Sequence, residues 1–426
     1  MKRQVTWLLS VVLLVSLGLS AMAAEQVTLQ FMGWEASPLE TKSVQDGLAQ
    51  FMRENPHIKV EYTPVAGDYD AKLLTMMAGN AAPDVFFCRC ATYRDFQKRG
   101  GLLDLTEYVD QSMSVEEFIP MSREKMTIDG RVYGLSSCNT VAVMFYNKDI
   151  FDEAGLPYPP SDPKEAWTWA EFVDVARKLT IVQQGRTVQY GAYGFTTNWF
   201  WSDPLMVLSN NGQLLNEDYT ELLLDSPEAK EALVKVRELQ QEGVLPLATT
   251  LEQTGMSAAQ MLQTGRIAML VDGSWALQEL AAMDFPVGIG VLPVMEEPIT
   301  VGQAHLHSVS SKTKYPDEAW KLVEFLSSRG YQTNVVRSGL WLPNRVDMYE
   351  KENLGVWMNP EVYPEGFEDM LEYFTVYEVL WPAVMVPAEA LDIIIEEFDN
   401  FFLAGQPIDE VMSRLKGRVD PILQRQ

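Results

Sequence analysis

Val27, Leu29 and Phe31 alternate with Thr28, Gln30 and Met32, a period of two that predicts a β-strand. Ser37-Pro38-Leu39-Glu40 follows, the pattern of a capping box with proline at the first helical position. Val44, Leu48, Phe51 and Met52 then share one helical face until Asn55-Pro56 stops the helix. Ile58, Val60 and Tyr62 predict a second strand, and about Asp70 to Ala78 a second helix ended by Gly79. The unbroken apolar run Val85-Phe86-Phe87-Cys88 predicts a strand buried on both faces. This β-α-β-α-β order predicts a largely parallel sheet covered by helices.

The same grammar resumes further on. Val141 to Tyr146 predicts a strand, and Thr168-Trp169-Ala170-Glu171 a capping box opening a helix through about Leu179. Tyr190 to Phe195 is strand-like but glycine-rich. Ser226-Pro227-Glu228 opens a helix that carries Leu233, Val236 and Leu239 inward and closes at Gly243. Ile267 to Val271 and Val287 to Leu292 predict buried strands, the second ending at Pro293. Pro316 starts a helix with Trp320, Val323 and Leu326, expected to end at Gly330, and residues 376–423 are expected to be mostly helical. Two such units predict two α/β lobes with a cleft between them. Ligands of open α/β sheets sit beyond the carboxyl ends of the strands. That rule points to Gly33-Trp34-Glu35, Cys88 to Tyr93 and Asp272 to Trp275.

The beginning of the chain follows another logic. Lys2 and Arg3 precede an apolar run, Leu8 to Leu19, and Ala21-Met22-Ala23 supplies small residues at a cleavage site. This predicts a secretory signal, residues 1–23, cut after Ala23. The run is short for a membrane span of roughly 20 residues. No cysteine follows at the cut, which argues against a lipid anchor. A periplasmic or other extracytoplasmic location is expected. The net charge of −26 argues against nucleic acid and anionic lipid as partners. Three cysteines, Cys88, Cys90 and Cys138, are too few for a disulfide scaffold. Either one bridge joins Cys138 to Cys88 or Cys90, or all three are buried thiols.

Five blocks carry a resemblance. They are FMRENPHIKVEYTPVAGDYDAKLLTMMAGNAAPDVFF (Phe51 to Phe87), YNKDIFDEAGLPYPPSDPKEAWTWAEF (Tyr146 to Phe172), GRIAMLVDGSW (Gly265 to Trp275), the Ser310 to Leu326 stretch, and Leu342-Pro343-Asn344-Arg345. In that order the chain resembles the extracellular solute-binding proteins of carbohydrate ABC importers, the maltose-binding-protein-like family 1. The resemblance implies an α/β, type II periplasmic-binding-protein-like fold, two α/β lobes joined by a multi-crossing hinge. Crossings are implied near Leu135 to Asn139, near Gly290 to Pro293 and after Arg345. The implied lobes are residues 24–135 plus 291–345, and 136–290 plus 346–426. It also implies a non-enzyme that captures a sugar or oligosaccharide by hinge closure and delivers it to permease subunits. Cys88-Arg89-Cys90 departs from the small, acidic or aromatic residues commoner there.

A sugar shows flat C–H faces and a rim of hydroxyls, so its site needs aromatic platforms and polar groups. Trp34, Trp199, Trp201, Trp275, Trp341 and Trp381 are the platform candidates, Trp199 and Trp201 standing with Asn198 and Asp203. Trp167 and Trp169 flank the capping box and are expected to pack there. Glu35, Arg89, Tyr93, Asn139 and Asp272 are the polar candidates, while Arg345 either reaches the cleft or braces the hinge. Asp84 is read as a turn or cap. His305 and His307 share a strand face, but no third metal ligand stands nearby, so lining the second crossing or packing is expected, and no cofactor. A monomer is the default. Two alternatives remain. A binding protein for a polyamine would use aromatic and acidic residues, and one for a glycerol phosphate would use Arg89 and Arg345. A secreted glycosidase would need two carboxylates about 5–10 Å apart, and no nucleophile elbow, zinc motif or phosphate loop accompanies them.

Overall fold

The computed structural model describes residues 26–35, 37–88, 90–195, 203–247 and 249–425. The signal-sequence expectation lies outside these residues. The first elements are β1 (Val27–Trp34), α1 (Pro38–Glu54), β2 (Ile58–Val65), α2 (Tyr69–Ala78), β3 (Val85–Cys88) and α3 (Cys90–Lys98). β1 pairs in parallel with β2 and β3, placing Phe31 beside both Tyr62 and Val85. Ser37 caps α1, its Oγ accepting the Glu40 amide at 3.1 Å. The helix then buries Val44, Leu48 and Phe51, the face its spacing marked.

The remaining principal elements are β4 (Gly134–Asn147), α4 (Trp169–Leu179), β5 (Ile181–Gln183), β6 (Arg186–Tyr193), α5 (Pro227–Gln241), β7 (Ile267–Gly273), β8 (Val287–Gly290), β9 (Thr300–Val309), α6 (Pro316–Leu326), α7 (Arg329–Val336), β10 (Glu378–Leu380) and α8 (Ile408–Leu423). The sheet order is β2-β1-β3-β9-β4-β7-β6-β5, with β8 against β4 and β10 against β9. Two further expected caps form: Thr168 and Glu171 make a full capping box, and Ser226 Oγ accepts the Ala229 amide.

β4 organises the whole. Its 14 residues are all buried. Its first part pairs with the segment of β9 that also pairs with β3, and its second part with β7 and β8. The strand therefore runs from one α/β half into the other. β9 makes the return passage. Residues 291–294 still belong to the second half, since the Val291 and Val294 amides donate to the carbonyls of Pro160 and Trp167. The return lies beyond the expected Gly290 to Pro293. A third passage adjoins both, because Asn139 and Leu342 exchange backbone hydrogen bonds of 2.8 Å.

Two expectations need correction. α6 ends at Leu326, not Gly330, because Ser328 caps a new helix by accepting the Tyr331 amide. Gly330 sits inside that helix. Within 376–423, β-prone Val376 to Val379 yields β10, parallel to β9. Cys88 and Cys138 are both buried thiols rather than bridge partners of one another.

Candidate ligand-binding recess

At the end of β1, beside β9, side chains from eight segments line a narrow recess. Trp34, Tyr62, Phe87, His305, His307 and Trp341 supply its rings, and Glu40, Ser137 and Tyr331 complete the lining. Local structure explains each placement. The β1–β2 register sets Tyr62 opposite Phe31, with ring centroids 5.0 Å apart. Gly33 makes room for it, since a Cβ there would come within 2.7 Å of the Tyr62 hydroxyl. His305 and His307 alternate on one face of β9, as strand geometry requires. They pack on Phe31, Phe87 and Trp341, the His305 and Trp341 rings lying 5.2 Å apart. The β4–β9 register shifts beside His305, and the extra residue, Ser137, turns toward the recess.

The recess is neutral at its rings and acidic at its rim. Burial, then the Glu40 and Glu35 carboxylates, push the Tyr62 phenol well above its ordinary value, so it remains a donor. Burial lowers the His307 pKa to about 3, so its imidazole is uncharged. His307 Nδ1 is buried and has no hydrogen-bond partner among the described residues. A buried polar atom of this kind is costly unless something satisfies it. Flat aromatic faces, a phenol and a neutral imidazole together suit a ligand with apolar faces and hydroxyl edges.

The sequence-derived candidates divide sharply. Trp34 and Trp341 line the recess together. Glu35 adjoins it, its amide donating to Val65 O and its charge felt at Tyr62. Asp272 and Trp275 lie elsewhere, at the end of β7, where Asp272 Oδ1 accepts the Gly273 amide at 2.7 Å. The exposed Trp275 ring lies over Gly273, where a Cβ would be 2.3 Å away. Burial pushes the Asp272 pKa up to about 6.

Four candidates have other work. Tyr93 shares the inner side of α3 with Phe96, and its hydroxyl donates to Met126 O at 2.7 Å. Asn139 is fully buried in β4, its Nδ2 donating to both Glu378 oxygens. Trp381 is fully buried, its amide donating to Gly302 O. Arg345 pairs with Glu117 and Asp347 and lies over Phe118. Arg89, Trp199 and Trp201 lie outside the described residues. Sequence reasoning missed Tyr62, Glu40 and Ser137. Tyr62 was visible as the inward position opposite Phe31 once parallel register is assumed. Glu40 was read only as a cap, and it is buried against the recess instead. Nothing in the sequence marks the Ser137 bulge.

Comparison with known proteins fixes the class. Residues 36–333 match the model of the bacterial extracellular solute-binding proteins, and the chain belongs to that family. It is 25% identical over 402 residues to an uncharacterized ABC transporter extracellular-binding protein of Pyrococcus horikoshii, covering 89% of each chain. It is 25% identical over 302 residues to the multiple sugar-binding protein of Streptococcus mutans, covering 66% of this chain and 67% of that one. An ABC substrate-binding protein of Listeria monocytogenes, solved in complex with cycloalternan, superposes with a TM-score of 0.80 at 26% identity, covering 94% and 99% of the two chains. The sugar-binding protein MalE of Xanthomonas citri shares the fold, with a TM-score of 0.79 at 22% identity over 94% and 98%. The fold is the α/β, type II periplasmic-binding-protein-like architecture implied by the sequence blocks.

Proposed function

We propose that the chain is the extracytoplasmic binding component of an ABC importer, and that it captures a sugar or oligosaccharide and hands it to a membrane permease. One observation carries the sugar assignment. The recess sets Trp34, Tyr62 and Trp341 beside the neutral imidazole of His307. Stacking platforms and an uncharged hydrogen-bonding atom match a saccharide better than an ion. The Streptococcus mutans and Listeria monocytogenes proteins support the same ligand class. The role is capture rather than catalysis. The two halves close over the solute about the β4, β9 and Leu342 passages, and the closed form is the one the permease receives.

Thermal unfolding against a panel of mono- and oligosaccharides, polyamines and glycerol phosphates tests this reading. A ligand at 100 times its Kd adds about 2.7 kcal/mol of stability. A shift with saccharides that persists at high salt supports the proposal. A shift confined to polyamines or phosphates, weakened by salt, replaces the sugar with a charged solute.

A further inference from the structure

Arg94 lies on α3, which follows β3 in the first half of the sheet. Its guanidinium carbon stands 5.3 Å from the centroid of the Tyr219 ring. Tyr219 belongs to the connection before α5, whose end is tied to the second half by the Gly191 amide donating to Val244 O. The contact thus joins elements carried by opposite halves. Lys98, Asp218, Met385 and Gln424 border the same gap. Neither Arg94 nor Tyr219 lines the ligand recess.

The Tyr219 loop is built to hold its ring in place. Tyr219 has φ of 57°, in the left-handed region that a residue with a bulky side chain seldom adopts. Asn216 enforces the turn. Its Oδ1 accepts the Thr220 and Glu221 amides at 2.8 and 3.0 Å, and its carbonyl accepts the Tyr219 amide at 3.0 Å. Asp420 on α8 anchors the loop by accepting the Leu222 amide at 2.8 Å. Glycine or asparagine would suit this backbone better. A tyrosine here presents a ring, and an arginine from the other half meets it.

We infer that Arg94 and Tyr219 form a latch that holds the two halves closed and sets how slowly a captured solute leaves. The effect on solute release rests on the capture reading above, whereas the contact between halves does not. A contact made only in the closed form stabilises that form alone, so it slows release without changing the encounter. A cation–π contact of this kind is worth about a three- to tenfold change in rate.

Two measurements test the latch. In stopped-flow fluorescence with maltotriose as the probe, Arg94→Ala and Tyr219→Ala are expected to raise the dissociation rate about three- to tenfold. The association rate should stay within about twofold. Tyr219→Phe should behave as wild type, because the ring face remains, and the double Ala variant should be no faster than either single one. Unchanged dissociation in both Ala variants, or Tyr219→Phe releasing as fast as Tyr219→Ala, overturns the latch. The second measurement needs no solute. Arg94→Cys with Tyr219→Cys is treated with a short bis-maleimide, beside each single variant. A cross-link seen only in the double variant supports the contact, and its absence in folded protein overturns it. Failure of maltotriose and every other saccharide to bind counts against the sugar reading, while the cross-link still decides the latch.

Discussion

Asn139 Nδ2 lies 2.9 and 2.8 Å from the two carboxylate oxygens of Glu378, at the place where β4, β9 and Leu342 run side by side. Burial pushes the Glu378 pKa well above the ordinary carboxylate value, and the Asn139 bonds only partly offset it. The folded chain therefore holds a proton that the unfolded chain has lost above pH 4.5 or so. The resulting stability is fully present below the unfolded pKa and is lost as pH rises toward the folded one. Glu378→Gln should remove this loss. Denaturant titrations from pH 4.5 to 8 are expected to show the variant gaining on wild type as pH rises. Asn139→Ala, which leaves the buried carboxyl without its donor, should cost about 2–4 kcal/mol at pH 7.

His307 works in the opposite direction. Its folded pKa of about 3 means that the imidazole stays neutral in the fold and becomes charged in the unfolded chain below about pH 6.5. The unfolded state then binds more protons, so this contribution to stability falls as pH drops from 6.5 toward 3. The limiting slope is about 1.4 kcal/mol per pH unit. His307→Gln is expected to flatten that part of the stability profile, as read by denaturant titrations at pH 4, 5, 6 and 7.

Asp272 gives a milder version of the Glu378 case. With a folded pKa near 6, its protonated form is favoured by the fold. Asp272→Asn keeps an oxygen to accept the Gly273 amide and should stabilise the protein by about 1–2 kcal/mol at pH 7.5. The gain should vanish below pH 4, where both states of the wild type are protonated. Thermal melts of the two proteins across that range check it.

Gly33 tests how the recess is shaped. Gly33→Ala forces a methyl group to within 2.7 Å of the Tyr62 hydroxyl, so the ring must move. The strand should survive at a cost of about 1–3 kcal/mol. Saccharide affinity is expected to fall more than stability does, as measured by melts and titrations on the same variant.

Local chemistry was the legible part of this chain. The Thr168–Glu171 box, the Ser226 cap and the strands β1, β3 and β7 follow from short-range spacing, and each appears where that spacing placed it. Trp34 was legible for the same reason, since it ends a strand. Long-range partners were not legible. Asn139 ends a stretch read as a crossing, but its partner Glu378 is 239 residues away, so nothing local showed the side chain was already engaged. Tyr93 looked like a cleft residue because it follows β3, yet three-residue spacing with Phe96 turns both rings to the core of α3. The Ser137 bulge arises from the register of β4 on β9, a property of two strands together.

In the proposed complex a saccharide sits against Trp34, Tyr62 and Trp341. Titration calorimetry tests it most directly, using the saccharide that gives the largest thermal shift on wild-type protein and on Trp34→Ala. Wild type should bind one equivalent, and the variant should bind at least about tenfold more weakly, a loss of about 1.4 kcal/mol. Equal affinity in the two proteins, with the variant folded, would contradict the assignment of this recess as the site.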